Sequence, residues 1–143
     1  MTEVILDANV VLARFDAADV FHATATALTQ RLDLEGRRVV VLDCVANEVL
    51  SVLSRRLRER RREDEVPAAL RALRAALPPE VGSAYSLLPS CFDEVVEDMV
   101  GSAGRRNFHD ALIVVYARRN GIAHVASFDK DFDDVPGLTR VAE

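Results

Sequence analysis

The sequence has few of the residues that build disulfide frameworks or zinc sites. Its 143 residues include two cysteines, Cys44 and Cys91, and three histidines, His22, His109 and His124. The two cysteines lie far apart and suit a reducing cytoplasm, where they serve as small apolar residues of a core. The scattered histidines do not add up to a zinc site either. We therefore expect neither a disulfide framework nor a zinc site.

Long apolar runs and an export signal are also missing. No run approaches the roughly 20 apolar residues that a membrane-spanning helix needs. The first residues, MTEVILD, lack the basic start and the cleavage site of a signal peptide. Half of the residues are nevertheless apolar, which suits a globular chain with a real core. We expect a single domain over residues 1–143, cytoplasmic and not associated with a membrane.

Basic residues are fewer than acidic residues, but many of them lie in one segment. The formal net charge is −5, which argues against simple electrostatic binding of nucleic acid. The segment RRLRERRRE, residues 55–63, nevertheless carries six of the seventeen arginines. Two interpretations stay open: this segment is the solvated end of a helix, or it is a basic ridge beside a phosphate-bearing substrate or an acidic partner.

Short apolar segments alternate with helical patterns along the chain. Strands are predicted at 4–6, 39–42, 85–88 and 124–128, with an edge strand at 138–141. Helices are predicted at about 18–34, 44–62, 67–76, 91–103 and 108–120. Continuously apolar strands that alternate with helices predict an α/β sandwich on a mainly parallel sheet of four to five strands.

Four carboxylates stand where parallel sheets place their active sites, outside the carboxyl ends of the strands. Asp7 ends the first strand and Asp129 directly follows HVASF. Glu48 lies in the first or second helical turn after the second strand, and Asp110 begins an apolar helix. Each also has a structural explanation. Asp7 and Asp129 could be helix caps, Asp110 the partner of a capping Asn107, and Glu48 an acid near a positive helix end.

The joint placement of these acids favours a metal site. Strand ends and the helix starts that follow them share one edge of a parallel sheet, so the four carboxylates could converge there. Converging carboxylates repel and raise one another's pKa values, and a divalent cation removes that cost. Oxygen-only ligands suit Mg²⁺ or Mn²⁺. Such a site activates water and stabilises charge on a phosphodiester oxygen.

The acidic run SFDKDFDD, residues 127–134, raises the alternative of a calcium loop. An EF-hand that starts at Asp129 needs glycine at the sixth position and glutamate at the twelfth. The chain has Asp134 and Arg140 there, so an EF-hand is excluded. We expect Asp129 to join the other acids and Asp134 to be a solvated charge.

In this order, the four motifs resemble those of the PIN-domain ribonucleases. VILDANVVLA resembles the first motif of that family, ANEVLSVL the second, FHDALIVVYARRNG the third and HVASFDKDF the fourth. The similarity covers nearly the whole chain. No single motif is decisive, but four in register are fairly specific. The compact size is most like the VapC-type toxins of toxin–antitoxin pairs.

The resemblance implies a three-layer α/β/α sandwich and metal-dependent cleavage of RNA. It implies a catalytic acidic cluster formed by Asp7, Glu48, Asp110 and Asp129. Within that cluster, Asp7, Asp110 and Asp129 are the expected ligands of Mg²⁺ or Mn²⁺, and Glu48 either binds metal or positions water. Asn9 is expected to hold Asp7 in place, and Asp131 to be an accessory acid.

The resemblance also implies partners: an RNA substrate, a cognate antitoxin that reaches into the site, and a second copy of the chain in a homodimer. Two other roles stay open within the family, an RNA-processing nuclease without a toxin role and a non-catalytic RNA-binding module. A phosphatase with Asp7 as nucleophile is disfavoured, because relatives of the haloacid dehalogenases need aspartate two residues later and this chain has Asn9.

Overall fold

The computed structural model describes residues 2–143, and this part of the chain forms four strands and six α-helices. The strands are β1 (Glu3–Leu6), β2 (Arg38–Val40), β3 (His124–Ala126) and β4 (Thr139–Val141). The helices are α1 (Ala8–Phe15), α2 (His22–Leu34), α3 (Asp43–Glu59), α4 (Val66–Ala76), α5 (Leu88–Gly101) and α6 (Phe108–Arg119). Three single 3₁₀ turns lie at Glu63–Glu65, Tyr85–Leu87 and Lys130–Phe132.

The sheet is fully parallel, with strand order β2-β1-β3-β4. Because β2 and β3 flank β1 on opposite sides, right-handed crossovers place the connections through α1–α2 and through α5–α6 on opposite faces of the sheet. In line with this, α1 packs on α2 and α5 packs on α6. The predicted α/β/α sandwich is therefore confirmed, with four strands, and β4 is the edge strand that the sequence predicted.

One continuous hydrophobic core joins the sheet to both helical layers. Val4 and Ile5 of the inner strand β1 are fully buried, as is Phe132 after β3. Cys44 and Cys91 are buried as well, and desolvation raises the pKa of the Cys44 thiol to about 12. Across residues 2–143, no helix combines the length and the apolar character that crossing a membrane requires.

The region after β1 differs from the prediction. A helix, α1, follows Asp7 directly, and the helix expected from residue 18 begins only at His22. Two aspartates explain the delay, because their carboxylates accept hydrogen bonds two residues ahead and so favour turns over helix. Asp16 accepts from the Ala18 N–H at 3.0 Å, and Asp19 accepts from the Phe21 N–H at 2.9 Å.

The strand predicted at 85–88 was wrong: Tyr85–Leu87 is a 3₁₀ turn that leads into α5. The carboxylate of Asp43 accepts hydrogen bonds from the backbone N–H groups of Ala84 and Tyr85, at 2.9 and 3.2 Å, which curls this segment. Contact with the sheet is confined to a single parallel bridge from Gly82 to Leu42. A side chain at Gly82 would put its Cβ 2.7 Å from Leu42 Cδ2, so a larger residue there would require the Leu42 side chain to shift.

Candidate active site

Asp7 stands at the carboxyl end of β1 and is 4% exposed. Its backbone N–H continues the sheet by bonding to the Ala126 carbonyl at 2.9 Å. Its carboxylate caps α1, since Oδ1 accepts from the Ala8 N–H at 2.8 Å. The two interpretations of Asp7, as a cap and as a site residue, are thus compatible in one side chain.

Ser127, which the sequence analysis missed, connects Asp7 to the fourth motif. Its buried hydroxyl donates to Asp7 Oδ2 at 2.7 Å and accepts from Asn9 Nδ2 at 3.2 Å and from the Asp129 N–H at 3.0 Å. A serine hydroxyl has one proton and two lone pairs, so its capacity is fully used. Asn9 therefore contacts Asp7 indirectly, through the Ser127 hydroxyl.

Asp129 follows β3 and lies at the start of a 3₁₀ turn. Its Oδ1 accepts from the Asp131 N–H at 2.9 Å, which closes the turn. The Asp131 side chain, the expected accessory acid, faces Arg105, with 3.5 Å between Oδ1 and Nη1. The expected solvated charge, Asp134, is exposed but forms ion pairs with Arg105 and Arg106.

Asp110 lies in the first turn of α6, where Asn107 caps the helix by accepting from the Asp110 N–H at 2.9 Å. The Asn107 backbone N–H in turn acts on the Asp110 carboxylate and lowers its pKa against the stronger effect of burial, as in a capping box. Its neighbour His109 is engaged elsewhere, with Nε2 3.1 Å from the Tyr85 hydroxyl. His109 therefore belongs to a side network with Tyr85, as expected for neighbours that point about 100° apart on a helix.

Glu48 is partly buried in the second turn of α3. Within residues 2–143 its side chain forms no hydrogen bond within 3.5 Å and no ion pair within 4.0 Å. Asp43, which also directly follows a strand-like segment, differs in this respect. Its carboxylate is occupied by the backbone of α3 and of the Tyr85 turn. Position at a strand end thus does not by itself assign an acid to the site.

Burial and the charges of neighbouring acids raise the pKa values of Asp7 and Asp110. Burial raises the pKa of Asp7 to about 6 against the opposing hydrogen bonds from Ser127 and Ala8, and the charges of Glu48 and Asp129 raise it further. Burial also raises the pKa of Asp110 to about 7, together with the charges of Asp7, Asp129 and Glu48. The structure therefore brings all four predicted residues into one electrostatically coupled group.

The chemistry of this group fits a hard divalent cation, because every donor is a carboxylate oxygen. As the side chains stand, however, no three acidic, histidine or cysteine residues within 2–143 are grouped so that they could hold one ion. Both carboxylate oxygens of Asp7 already accept hydrogen bonds. Binding a cation would therefore require the carboxylates to draw closer together.

Arg106 is a second residue that the sequence analysis missed, and it holds one wall of the site. This buried guanidinium bonds to Asp98 on α5 at 2.8 and 3.0 Å, to the Asp131 carbonyl at 2.8 Å and to Asp134 at 2.6 Å. It lies next to Asn107, the cap of the helix that carries Asp110. One side chain thus joins the start of α6 to the loop that follows Asp129.

The chain belongs to the PIN-domain family, whose sequence profile matches residues 4–138. Two solved structures share its fold. VapC20 of Mycobacterium tuberculosis, described as a sarcin–ricin loop cleaving toxin, has a TM-score of 0.71 and 23% identity, covering 98% of this chain and 99% of that chain. VapBC2 of Rickettsia felis, bound to a DNA fragment from its promoter, has a TM-score of 0.68 and 13% identity, covering 98% of each chain. None of the curated proteins compared matches.

We predict that Asp110→Asn stabilises the metal-free protein at about pH 8 by roughly 1–2 kcal/mol. The raised pKa of Asp110, about 7, means that the folded state binds more protons than the unfolded state between about pH 4 and pH 7, so stability falls as pH rises through that window. About three pKa units correspond to roughly 4 kcal/mol at most, and we reduce this because the carboxylate is partly solvated.

Urea unfolding in EDTA at about pH 4 and about pH 8 measures this difference. The gain should largely vanish at the lower pH, where the wild-type carboxyl group is protonated in the folded state and about half protonated in the unfolded state. Asp93→Asn, at an exposed position on α5, is the control and should change neither value. Equal effects of Asp110→Asn at both pH values would show that ionisation of the Asp110 carboxyl group is not their cause.

Proposed function

We propose that this chain, acting as one domain over residues 1–143, is a metal-dependent endoribonuclease and the toxin of a type II toxin–antitoxin pair. The observation that carries the proposal is the coupled group of Asp7, Glu48, Asp110 and Asp129, in which the pKa values of two acids are raised towards neutrality. Acids with such shifts in one group are typical of functional sites. Membership of the PIN-domain family supports the same conclusion.

The substrate class follows from the relatives and from the ligand chemistry. VapC20, which shares the fold, is described as cleaving the sarcin–ricin loop, which makes RNA the expected substrate here. When bound, Mg²⁺ or Mn²⁺ would supply charge neutralisation at the phosphodiester and lower the pKa of water. A donor set made only of oxygen atoms suits Mg²⁺ or Mn²⁺ better than zinc, which favours nitrogen and sulfur ligands.

Each acid has a proposed role. Asp7, Asp110 and Asp129 would hold the cation, with Ser127 and Asn9 keeping Asp7 and Asp129 in register. Glu48 would orient the attacking water for in-line displacement, since its side chain has no partner among residues 2–143 that would need to be displaced. A non-catalytic RNA-binding module is the alternative, and an activity measurement separates the two.

We predict cleavage of RNA that depends on Mg²⁺ or Mn²⁺ and is abolished by Asp7→Asn or Asp110→Asn. Loss of one ligand from a cluster of this kind removes both cation affinity and charge stabilisation, so we expect a fall in rate of at least about a hundredfold. Labelled RNA resolved on a gel gives the rate. The shift in melting temperature on adding cation, expected from binding to the folded state, gives a second readout.

Asp93→Asn is the matched control and should retain full cleavage and the full thermal shift. If Asp7→Asn cuts RNA as fast as the wild type, the activity comes from a contaminant or from another site. If the wild type binds RNA and the cation but does not cut, the non-catalytic role is correct.

A mainly apolar groove next to β1 is a candidate binding surface for an antitoxin. This groove of about 580 Å³ runs between α1, α2 and the end of α4 and includes Leu6, the residue before Asp7. Its lining is mainly apolar, with Val11, Phe15 and Leu77 among the contributors, and Arg14 and Asp33 are also part of it. An extended or helical segment of an antitoxin that lay there would end close to the acids.

We predict that expression of the chain arrests growth and that co-expression of the gene for its cognate antitoxin relieves the arrest. Thr29→Arg, which places a long charged side chain in the groove, should arrest growth even with that gene. The measurement is growth after induction, with pull-down of the partner as a check. An active nuclease that never arrests growth would indicate an RNA-processing role, and rescue of Thr29→Arg would exclude the groove as the binding surface.

The homodimer is proposed from an apolar stripe on α5. Phe92, Val96 and Val100 recur at every fourth residue and are 54%, 38% and 66% exposed. An exposed row of this kind typically marks an interface. A second copy of the same helix would cover it symmetrically.

We predict that the wild type has twice the 15.8 kDa mass of one chain and that Val96→Arg has the mass of one chain, because a buried unpaired charge opposes association. Light scattering after size exclusion gives the mass. Asp93→Asn, on the same helix, should remain dimeric. A monomeric wild type, or a dimeric Val96→Arg, would rule out this interface.

A further inference from the structure

A stacked pair of phenylalanines borders the acidic group. The rings of Phe21 and Phe128 lie 4.9 Å apart between centroids with an interplanar angle of 19°. Phe128 directly precedes Asp129, whereas Phe21 ends the loop before α2. Phe128 covers one face of the Phe21 ring, and Phe21 is nevertheless 49% exposed. We call this pair the stacking platform.

The platform is tied to the acids by hydrogen bonds. The Phe128 N–H donates to Asn9 Oδ1 at 3.3 Å, and Asn9 Nδ2 donates to the Ser127 hydroxyl that holds Asp7. Consecutive Cα atoms are about 3.8 Å apart, so Phe128 cannot move far from Asp129. The backbone of Phe128 is therefore held in place next to Asp129.

The other half of the platform is held by the arginine-rich segment. Residues 16–21 form two aspartate turns, and Arg56 of α3 contacts both aspartates, Asp16 at 3.1 Å and Asp19 at 3.0 Å. Arg60 adds a contact to Asp16 at 3.2 Å. Burial alone would raise the pKa of Asp16, but hydrogen bonds from Ala18, Arg60 and Arg56 lower it below its usual range.

These contacts have an electrostatic consequence. Two carboxylates so near the site would repel a polyanion, and two guanidinium groups neutralise them within the loop. For residues 55–63, the sequence left two interpretations open, a solvated helix end and a phosphate-binding ridge. The contacts of this segment add a third role. Two of its arginines fix and neutralise the loop that presents Phe21.

A single exposed phenylalanine needs no functional explanation by itself. Phe21 differs because its loop is fixed by ion pairs and its ring backs onto a residue adjacent to Asp129. An aromatic face fixed in this way offers contact area at little entropic cost. Aromatic side chains that bind single-stranded nucleic acid stack on unpaired bases with little preference among them.

We propose that the stacking platform binds an unpaired nucleobase of the RNA next to the phosphodiester that is cut. The identity of the occupant as RNA rests on the function proposed above. The platform would select single-stranded over duplex segments, because the faces of a base inside a duplex are covered by its stacked neighbours. It would contribute little to the choice among bases, which must come from other contacts.

The test uses a short single-stranded RNA with 2-aminopurine placed at each position in turn, since stacking quenches the fluorescence of this base. Binding is measured on the full chain carrying Asp110→Asn, so that the RNA is not cut. We expect quenching at one or two adjacent positions. Phe21→Ala should remove it and weaken binding roughly tenfold, within the range found for stacked bases.

Further variants separate stacking from folding. Phe21→Leu keeps an apolar side chain and should lose quenching, whereas Phe21→Trp should retain it. Arg56→Ala, which releases Asp16 and Asp19 together, should reduce quenching without removing an aromatic ring. Val20→Ala, at the neighbouring position that is 91% exposed, is the control and should behave like the parent chain. Melting temperatures establish that each variant is folded.

The outcomes distinguish this proposal from the nuclease proposal. If the wild type cuts RNA but Phe21→Ala and Phe21→Leu leave KM, binding and quenching unchanged, the platform is wrong and the nuclease stands. If quenching depends on Phe21 but no cleavage occurs with Mg²⁺ or Mn²⁺, the platform stands and the nuclease fails. Absence of any RNA binding overturns both.

Discussion

The rest of the site depends on one buried carboxylate, that of Asp7 at the end of an inner strand. Burying a charge is costly unless hydrogen bonds or an opposite charge compensate for it. Here the Ala8 N–H and the Ser127 hydroxyl compensate in part, yet the pKa of Asp7 is still raised. The same Ser127 hydroxyl also bonds to Asn9 and to the Asp129 N–H. It therefore joins the first motif to the fourth.

The acids of this chain separate into two classes by their surroundings. Asp16, Asp133 and Asp134 have arginine partners, and hydrogen bonds from arginine are among the causes that lower the pKa of each. Asp7 and Asp110 have carboxylate neighbours and raised pKa values. With seventeen arginines available, a shortage of cations does not explain the difference. Among residues 2–143, no arginine forms an ion pair with Asp7 or Asp110, although Arg140 donates to the nearby Ser127 carbonyl at 3.1 Å.

The sequence was sufficient for the fold class, the family resemblance and the positions of Asp7 and Asp129, because parallel strands and their carboxyl ends follow from local apolar patterns. It was insufficient where hydrogen bonds from backbone groups far along the chain determine the local structure or the role of an acid. Asp43 resembles Asp7 locally, but the N–H groups of Ala84 and Tyr85 occupy it. The same contact turned a predicted strand into a 3₁₀ turn. Ser127 could have been found, since it stands between a strand end and Asp129.

The excess of arginine over lysine, seventeen to one, has a geometric meaning here. A guanidinium group presents five N–H donors in a planar fork, whereas an ammonium group is a compact point charge. Arg106 joins Asp98, the Asp131 carbonyl and Asp134, and Arg56 joins Asp16 to Asp19. Each therefore fixes a loop that borders the acidic group. A lysine has three donors on a single nitrogen and lacks the planar fork that reaches acceptors on different segments. At these two places, arginine holds the loops that border the acidic group.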